Sequence, residues 1–232
     1  MAQSNILRID LEGDEFHKKF GGGLPRKSFV LIEAEDGLGK SVLSQRFAYG
    51  VLSNKNSVSY ISSELNLTEF LNQMESLNYA IKTHLLNKQL KFVTLFPSKY
   101  RVELNGDLIQ QIITSKVLFE SDMIIFDTLN ELLIDPQLDL RESFKLVGFF
   151  KEIVSRNKTI VFCVTPDFAK GKFFGMLKSS ADVYIKMLEK EQYGNVLKVI
   201  KIERFNAAED EYEKEIPFNV KAKIGILPDI SS

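Results

Sequence analysis

The feature that most limits how this chain can fold is a short glycine-containing loop between a predicted strand and a predicted helix. Residues 28–34 (SFVLIEA) form an apolar run typical of a strand that is buried on both faces. Residues 40–54 (KSVLSQRFAYGVLSN) predict a helix. Between them, Gly37 and Gly39 allow a tight turn of the backbone. A strand, a tight loop and a helix in this order predict an α/β fold.

The loop matches a phosphate-binding pattern. Residues 34–41 (AEDGLGKS) fit G-x-x-x-x-G-K-[ST] at every defined position except the first, where alanine replaces glycine. The glycines let backbone N–H groups surround an anion, the lysine supplies a cation for the outer phosphates, and the serine offers a hydroxyl to Mg²⁺. We expect Ala34 to be tolerated if its φ is negative; the alternative is a strand–helix turn that binds nothing. The predicted nucleotide-binding residues are Asp36, Gly37, Leu38, Gly39, Lys40, Ser41 and Val42.

A second apolar strand ends in a carboxylate that could bind the metal ion of a nucleotide site. Residues 122–127 (DMIIFD) end in Asp127, and ligands of open α/β sheets collect at the carboxyl ends of the strands. Phosphate-binding loops of this kind use a carboxylate on a neighbouring strand to hold Mg²⁺. We therefore predict that Ser41 and Asp127 hold Mg²⁺. The alternative is that Asp127 only caps the segment that follows it.

Hydrolysis would also require a group that activates water. The residue after Asp127 is Thr128, where many ATPases with this loop have glutamate. Glu64 closes the strand predicted over 57–63 and is our candidate catalytic residue. The alternative for Glu64 is a solvated loop carboxylate, and Glu131 is a weaker candidate for the same role.

Strands and helices alternate along the rest of the chain. Continuous apolar runs separated by helices predict parallel strands joined by right-handed crossovers. After residue 180 the pattern changes to two strands over 182–206, joined by a turn at 193–195, and a hairpin over 215–228. The predicted architecture is one α/β domain over residues 1–232, with a mostly parallel sheet flanked by helices and antiparallel strands at its C-terminal edge. The other predicted elements are strands at 57–63, 90–96 and 159–165 and helices at 67–82, 106–120 and 138–156.

The composition favours a soluble cytoplasmic protein that is not a dedicated nucleic-acid binder. The chain has 30 basic and 31 acidic side chains, and nucleic-acid binders usually show a basic excess. Its single cysteine, Cys163, lies in a predicted buried strand and excludes an internal disulfide. The N-terminal residues lack the apolar core of a signal peptide, and no apolar run approaches the roughly 20 residues that span a bilayer.

The segment 167–180 (DFAKGKFFGMLKSS) has three open interpretations. It contains three lysines and a glycine on each side of Phe173 and Phe174. Related recombinases place a DNA-contacting loop here, so a DNA contact is one interpretation. The others are a partner-contacting loop and an ordinary buried segment.

Several motifs together resemble the RecA/KaiC-type ATPases and, among them, the FlaH family of archaellum (archaeal flagellum) nucleotide-binding proteins. The resemblance extends over most of the chain, from a G-G-G-L-P element before the loop to the C-terminal hairpin. The motifs that carry it are GGGLP (21–25), EDGLGKSVLS (35–44), SSEL (62–65), IIFDTL (124–129), VTPD (164–167), DVYIKM (182–187), KIERF (201–205) and FNVKAKIGILP (218–228).

The resemblance implies binding of ATP or ADP with Mg²⁺ in a RecA/KaiC-like fold, with Lys40, Ser41, Asp127 and Glu64 in the nucleotide, magnesium and catalytic positions. It further implies a cytoplasmic protein that contacts the hexameric archaellum motor ATPase and lies near the membrane platform protein. A homo-oligomeric ring is compatible with it. KaiC domains carry Lys-x-Arg facing the neighbouring subunit's nucleotide, and here only Arg204 matches, so the resemblance makes Arg204 a candidate to contact a neighbour's phosphates. The alternative is a solvated arginine on an edge strand.

Because the lysine of that pair is missing, the sequence favours a nucleotide-gated assembly or regulatory factor with slow or absent hydrolysis. The alternative is an active RecA-type ATPase or a recombinase-like DNA-binding protein.

Overall fold

A nine-stranded sheet dominates the computed structural model, which describes residues 5–95, 113–128, 140–166, 172–192 and 194–229. In chain order its strands are β3 (Phe29–Ala34), β4 (Val58–Ser62), β5 (Leu90–Thr94), β6 (Met123–Asp127), β7 (Thr159–Val164), β8 (Val183–Gln192), β9 (Asn195–Phe205), β10 (Glu215–Lys221) and β11 (Gly225–Pro228). Their spatial order is β11-β10-β9-β8-β3-β7-β6-β4-β5.

The pairing directions confirm the predicted fold class. Strands β8, β3, β7, β6, β4 and β5 pair in parallel, whereas β8–β9, β9–β10 and β10–β11 are antiparallel. The carboxyl ends of β3, β4, β6 and β7 therefore lie along one edge of the sheet. That edge carries the predicted loop, Glu64 and Asp127.

Helices cover both faces of the parallel part. The helices are α2 (Lys40–Ser53), α3 (Leu67–Ser76), α4 (Lys82–Leu86), α5 (Leu140–Ser155) and α6 (Lys172–Ser180), with a 3₁₀ helix at Lys116–Phe119. Successive residues of β3 alternate between two apolar cores, as expected for a strand buried on both faces. Val30 and Ile32 pack on the side of α2, and Leu31 packs on the side of α5 and α6.

A short antiparallel pair precedes the sheet, with strands β1 (Ile6–Arg8) and β2 (Gly23–Pro25) and α1 (Phe16–Lys19) between them. A Cβ on Gly23 would lie 2.2 Å from the carbonyl oxygen of Leu7, so this close pairing requires glycine. The sequence patterns predicted no element in this region.

A fully buried arginine joins the N-terminal segment to α2. The Arg46 guanidinium lies 2.8 Å from the Asp14 carboxylate and donates a hydrogen bond of 2.9 Å to the carbonyl of Ile9. Because buried charges require pairing, the position of the segment on α2 is closely defined.

Aromatic rings join the same segment to the C-terminal part of the chain. The Phe20 ring lies 5.2 Å from that of Phe47 and 5.5 Å from that of Phe205, which in turn contacts Tyr212. Lys19 and Glu213 form an ion pair of 3.0 Å nearby.

Most predicted elements are confirmed, but the helix predicted over 67–82 is wrong. The apolar residues that recur at helical spacing in it (Phe70, Met74, Leu77 and Ile81) are buried, yet α3 ends at Ser76 and α4 begins at Lys82. Asn78 has a left-handed φ of 63° and ends the helix; asparagine tolerates this conformation better than most residues. Most of the helix predicted over 106–120 lies outside the described residues, and its C-terminal end is the 3₁₀ helix.

Candidate functional site

The phosphate-binding pattern forms the predicted strand–loop–helix arrangement. Strand β3 ends at Ala34, whose φ is not positive, and α2 begins at Lys40. Gly37 and Gly39 have φ values of 82° and 97°, which glycine alone adopts readily. The first N–H groups of a helix lack intrahelical partners, so the start of α2 offers donors to an anion.

Lys40 is held by a carboxylate at the mouth of this loop. Its side chain is only 6% exposed, and its Nζ lies 3.2 Å from Oδ1 of Asp36, whose side chain is 86% exposed. An ion pair with so exposed a partner is weak. An anionic ligand can therefore replace Asp36 at little cost.

Asp127 lies at the end of β6 beneath the loop and is 2% exposed. The hydroxyl of Ser41 donates to its Oδ1 over 3.1 Å, and the Tyr60 hydroxyl donates to its Oδ2 over 2.6 Å. Burial raises the pKa of Asp127 to about 6; the nearby charge of Glu64 adds to this, while the hydrogen bonds from Tyr60 and Ser41 and the charge of Lys40 oppose it. The structure thus brings Lys40, Ser41 and Asp127 together as predicted.

The sequence patterns did not predict two polar residues at this carboxylate: Tyr60, which contacts it, and Ser44, which contacts Tyr60. Tyr60 on β4 is fully buried, and its hydroxyl lies 2.8 Å from that of Ser44 on α2. The hydroxyl of Ser44 is also 2.9 Å from the carbonyl oxygen of Ser41. In the sequence, the only indication of this role for Ser44 is that a polar residue lies one helical turn after Ser41, on the inner face of α2.

Glu64 is exposed in the turn between β4 and α3. Its backbone N–H donates to the Ser62 hydroxyl over 3.3 Å, which shapes the turn. The Glu64 carboxylate is close enough to Asp127 to raise the pKa of that residue. Both predicted carboxylates therefore lie at the same edge of the sheet, one buried and one in solvent. Glu131 lies outside the described residues.

The end of β6 is bound to this turn through its backbone. The hydroxyl of Ser63 donates to the carbonyl of Thr128 over 2.6 Å, and the Ser63 N–H donates to the carbonyl of Asp127 over 3.1 Å. The backbone after Asp127 is thus joined by hydrogen bonds to the residue that directly precedes Glu64.

A cavity of about 710 Å³ opens beside the loop. It lies toward β8, between the loop and Pro166, two residues after the end of β7. On its wall Glu33 accepts a hydrogen bond from Tyr184 and lies 3.8 Å from Lys186. A ligand held by the loop thus has space on the side of the antiparallel strands.

Comparison with known proteins agrees with this arrangement. A family model described as "ATPase: KaiC" matches residues 13–228. The chain is 36% identical to the archaeal flagellar ATP-binding protein FlaH of Methanocaldococcus jannaschii, over 100% of this chain and 99% of that protein. The chain belongs to the FlaH family of KaiC-like ATPases.

Solved structures support the same conclusion. The crystal structure of the flagellar accessory protein FlaH from Methanocaldococcus jannaschii superposes with a TM-score of 0.86 at 34% identity, covering 97% of this chain and 100% of that one. A KaiC-like protein from Pyrococcus horikoshii shares the fold, with a TM-score of 0.74 at 15% identity over 97% of this chain and 99% of that one. The RecA/KaiC-like fold predicted from the sequence is confirmed.

Arg204 has partners within its own chain in this FlaH-family member. Its guanidinium donates to the carbonyls of Lys178 and Ala181, over 3.0 and 2.6 Å, at the C-terminal end of α6. Strand β9 is not an edge strand, because β8 and β10 flank it. The structure therefore places Arg204 where it stabilises the end of a helix.

Another basic residue of β9 reaches the loop instead. The Nζ of Lys198 donates to the carbonyl of Gly37 over 2.9 Å. Met187, Phe218 and Val220 lie within 3.9 Å of the position that a Cβ on Gly39 would take. The antiparallel strands of this FlaH-family chain thus support one side of the loop.

The segment after β7 contributes to the core. Phe173 and Phe174 of α6 are 7% and 3% exposed and pack with α5. For these two residues the interpretation as a buried segment is confirmed, while residues 167–171 lie outside the described residues. None of the helices that the structure describes is long and apolar enough to cross a membrane.

Proposed function

We propose that this chain is an ATP-binding accessory component of the archaellum motor, and that its nucleotide state controls how it binds the motor ATPase. The observation that carries the proposal is the joint position of Lys40, Ser41 and Asp127 at the end of a glycine loop. Family membership supplies the archaellum context.

The loop residues would bind the phosphates. Gly37, Leu38 and Gly39 present backbone N–H groups, Val42 lies in the first turn of α2, and Lys40 would exchange Asp36 for a phosphate oxygen. The exchange replaces an exposed carboxylate with a multiply charged anion, so it favours the ligand.

Magnesium fits the two oxygen donors beneath the loop. The Ser41 hydroxyl and the Asp127 carboxylate are 3.1 Å apart, and Mg²⁺ prefers oxygen ligands with only one or two of them from protein carboxylates. Ser41 and Asp127 would hold the ion, Asp127 directly or through a water molecule. When bound, Mg²⁺ neutralises phosphate charge.

Glu64 would act as general base toward water, but two features favour slow or absent hydrolysis. Glu64 is exposed, and among the described residues its carboxylate has no hydrogen-bond partner that would fix its orientation. Arg204 donates to carbonyls of its own chain, and these hydrogen bonds compete with any contact to a neighbouring subunit's phosphates. Both support a nucleotide-gated regulatory factor over an efficient ATPase.

The proposed partners are the hexameric motor ATPase and the membrane platform protein. We place this chain in the cytoplasm, where copies of it could also form a homo-oligomeric ring. A surface that changes with the bound nucleotide requires a segment that contacts the terminal phosphate. The turns after β4 and β6 are our candidates, because both lie at the carboxyl edge of the sheet and Ser63 joins them through Asp127 and Thr128.

Calorimetric titration tests nucleotide binding. We expect Lys40→Ala to abolish measurable binding of ATP and ADP, because losing this cation costs about 2–5 kcal/mol. Lys55→Ala, at an exposed position after α2, is the matched control. Asp127→Asn should lose the gain in affinity that wild type obtains from Mg²⁺. Unchanged affinity in Lys40→Ala would refute the nucleotide site.

Capture of the motor ATPase tests the switch. With ATP present, Glu64→Gln should retain more motor ATPase than Lys40→Ala, because Gln keeps the shape of the side chain but not the base. The exposed Glu12→Gln is the control for the lost charge. Equal retention by both folded variants would make the nucleotide a purely structural ligand. ATP turnover stimulated several-fold by DNA would instead favour the recombinase-like alternative.

A further inference from the structure

Thr128, directly after Asp127, has a backbone conformation that its residue type disfavours. Its φ is 48°, in the left-handed region, where a β-branched side chain is an outlier. The other described non-glycine residues with positive φ are neither β-branched nor buried. These residues are Lys27, Lys55, Asn78, Lys88, Asn157, Ala207 and Lys223.

The side chain of Thr128 is also unsatisfied. The residue is 4% exposed, and its Oγ1 has no hydrogen-bond partner among the residues that the structure describes. A buried hydroxyl without a partner destabilises the fold. Two unfavourable features thus occur at one residue beside the site carboxylate, which is where backbone strain is commonly retained for function.

The contacts of Thr128 link the metal side of the site to the candidate base. Its carbonyl accepts the hydrogen bond from Ser63, and Ser63 directly precedes Glu64. On its other side, Asp127 accepts from Ser41 at the start of α2. A rotation of the Thr128 peptide therefore moves the turn that carries Glu64.

We propose that Thr128 distinguishes a nucleoside triphosphate from a diphosphate, an inference that rests on the proposed nucleotide binding. With a triphosphate bound, the Thr128 hydroxyl donates to an oxygen of the terminal phosphate and so gains the partner that it lacks. Reaching this oxygen rotates the Thr128 peptide, and Ser63 transmits the rotation to Glu64. A diphosphate has no oxygen at this position and leaves the strained conformation unchanged.

The hydroxyl is tested with Thr128→Val, which keeps the shape of the side chain. Calorimetry with Mg²⁺ and either a hydrolysis-resistant ATP analogue or ADP measures the ratio of the two affinities. We expect the affinity for the ATP analogue to fall about tenfold, which equals about 1.4 kcal/mol, and that for ADP to stay within about twofold. Thr128→Ser should retain the wild-type ratio.

The stability of the empty protein separates this role from a structural one. Because Thr128→Val removes an unsatisfied hydroxyl, we expect its urea midpoint to rise. Thr159→Val is the matched control: Thr159 is equally buried, but its hydroxyl donates to the carbonyl of Pro25 over 2.9 Å. This control should lower the midpoint and leave the affinity ratio unchanged.

Transmission to Glu64 is tested with Ser63→Ala. Hydrogen exchange over residues 62–66 should differ between the ATP-analogue and ADP complexes of wild type. This difference should be smaller in Ser63→Ala, which loses the hydroxyl contact to Thr128 and keeps the backbone hydrogen bond to Asp127. An unchanged affinity ratio in Thr128→Val, or an equal loss for both ligands, would overturn the inference, as would an exchange difference of wild-type size in Ser63→Ala. If wild type binds neither nucleotide, the proposed function and this inference both fail.

Discussion

Replacing Asp127 by asparagine should stabilise the empty protein at neutral pH, even though it removes the proposed magnesium ligand. Asp127 is 2% exposed, and burial raises its pKa from 3.8 to about 6. A buried carboxylate is costly to ionise, and asparagine avoids this cost while it still accepts hydrogen bonds from Tyr60 or Ser41.

The magnitude follows from the shift in the pKa. Between pH 4 and 6 the unfolded chain releases the Asp127 proton while the folded protein keeps it, so each rise in pH favours unfolding. The full shift corresponds to about 3 kcal/mol, which is complete above pH 6. The free energy of unfolding of Asp127→Asn relative to wild type should therefore increase by about 3 kcal/mol across this range and then remain constant.

Urea unfolding of both proteins at pH 4 to 7.5, in EDTA and without nucleotide, measures this difference. Taking the difference cancels the titration of groups that do not interact with Asp127. Any change in the hydrogen bonds of the substituted side chain adds an offset that does not depend on pH. A difference that is constant over the whole range, or one that decreases as pH rises, would refute the reasoning.

Three further substitutions have defined outcomes. Tyr60→Phe removes a hydrogen bond that lowers the pKa of Asp127, so the pH-dependent loss of stability should extend above pH 6 in urea unfolding; an unchanged profile would contradict this. Arg46→Met leaves Asp14 without its partner and should cost about 3–5 kcal/mol in the same assay, whereas an unchanged midpoint would make the pair irrelevant to stability. Lys198→Gln removes the contact to Gly37 and should weaken nucleotide binding about two- to fivefold in calorimetry, and wild-type affinity would exclude a supporting role for the lysine.

The parts of the site that the sequence predicts are those encoded in short contiguous patterns. The loop around Lys40 and the strand ending in Asp127 can each be recognised from a few consecutive residues, because hydrophobic periodicity and turn-forming residues are local features of a sequence. Tyr60 could not be assigned as the partner of Asp127 in this way. Its role depends on β4 lying beside β6, and strand order is a property of the whole sheet.

The incorrect helix boundary and the unpredicted contacts of Arg204 have a related cause. Apolar spacing continues through Leu77 and Ile81 because both residues are buried, although the helix has ended and the chain has turned at Asn78. Arg204 matches a family position in the sequence. However, its partners are backbone carbonyls at the end of α6, beside a register shift between Tyr184 and Ile185 of β8, and neither feature leaves a sequence signal.

The position of β3 determines when the candidate site can form during synthesis. This strand lies between β7 and β8, and its last residue, Ala34, pairs with Met187. The ribosome must therefore add roughly 150 more residues after the loop before the strand that carries it has both neighbours, which takes on the order of ten seconds at typical rates of translation. During that time Phe20 also lacks Phe205, and the nascent chain presents an unpaired apolar strand edge. The strand that carries the loop thus gains its second neighbour only after residue 187 has been translated.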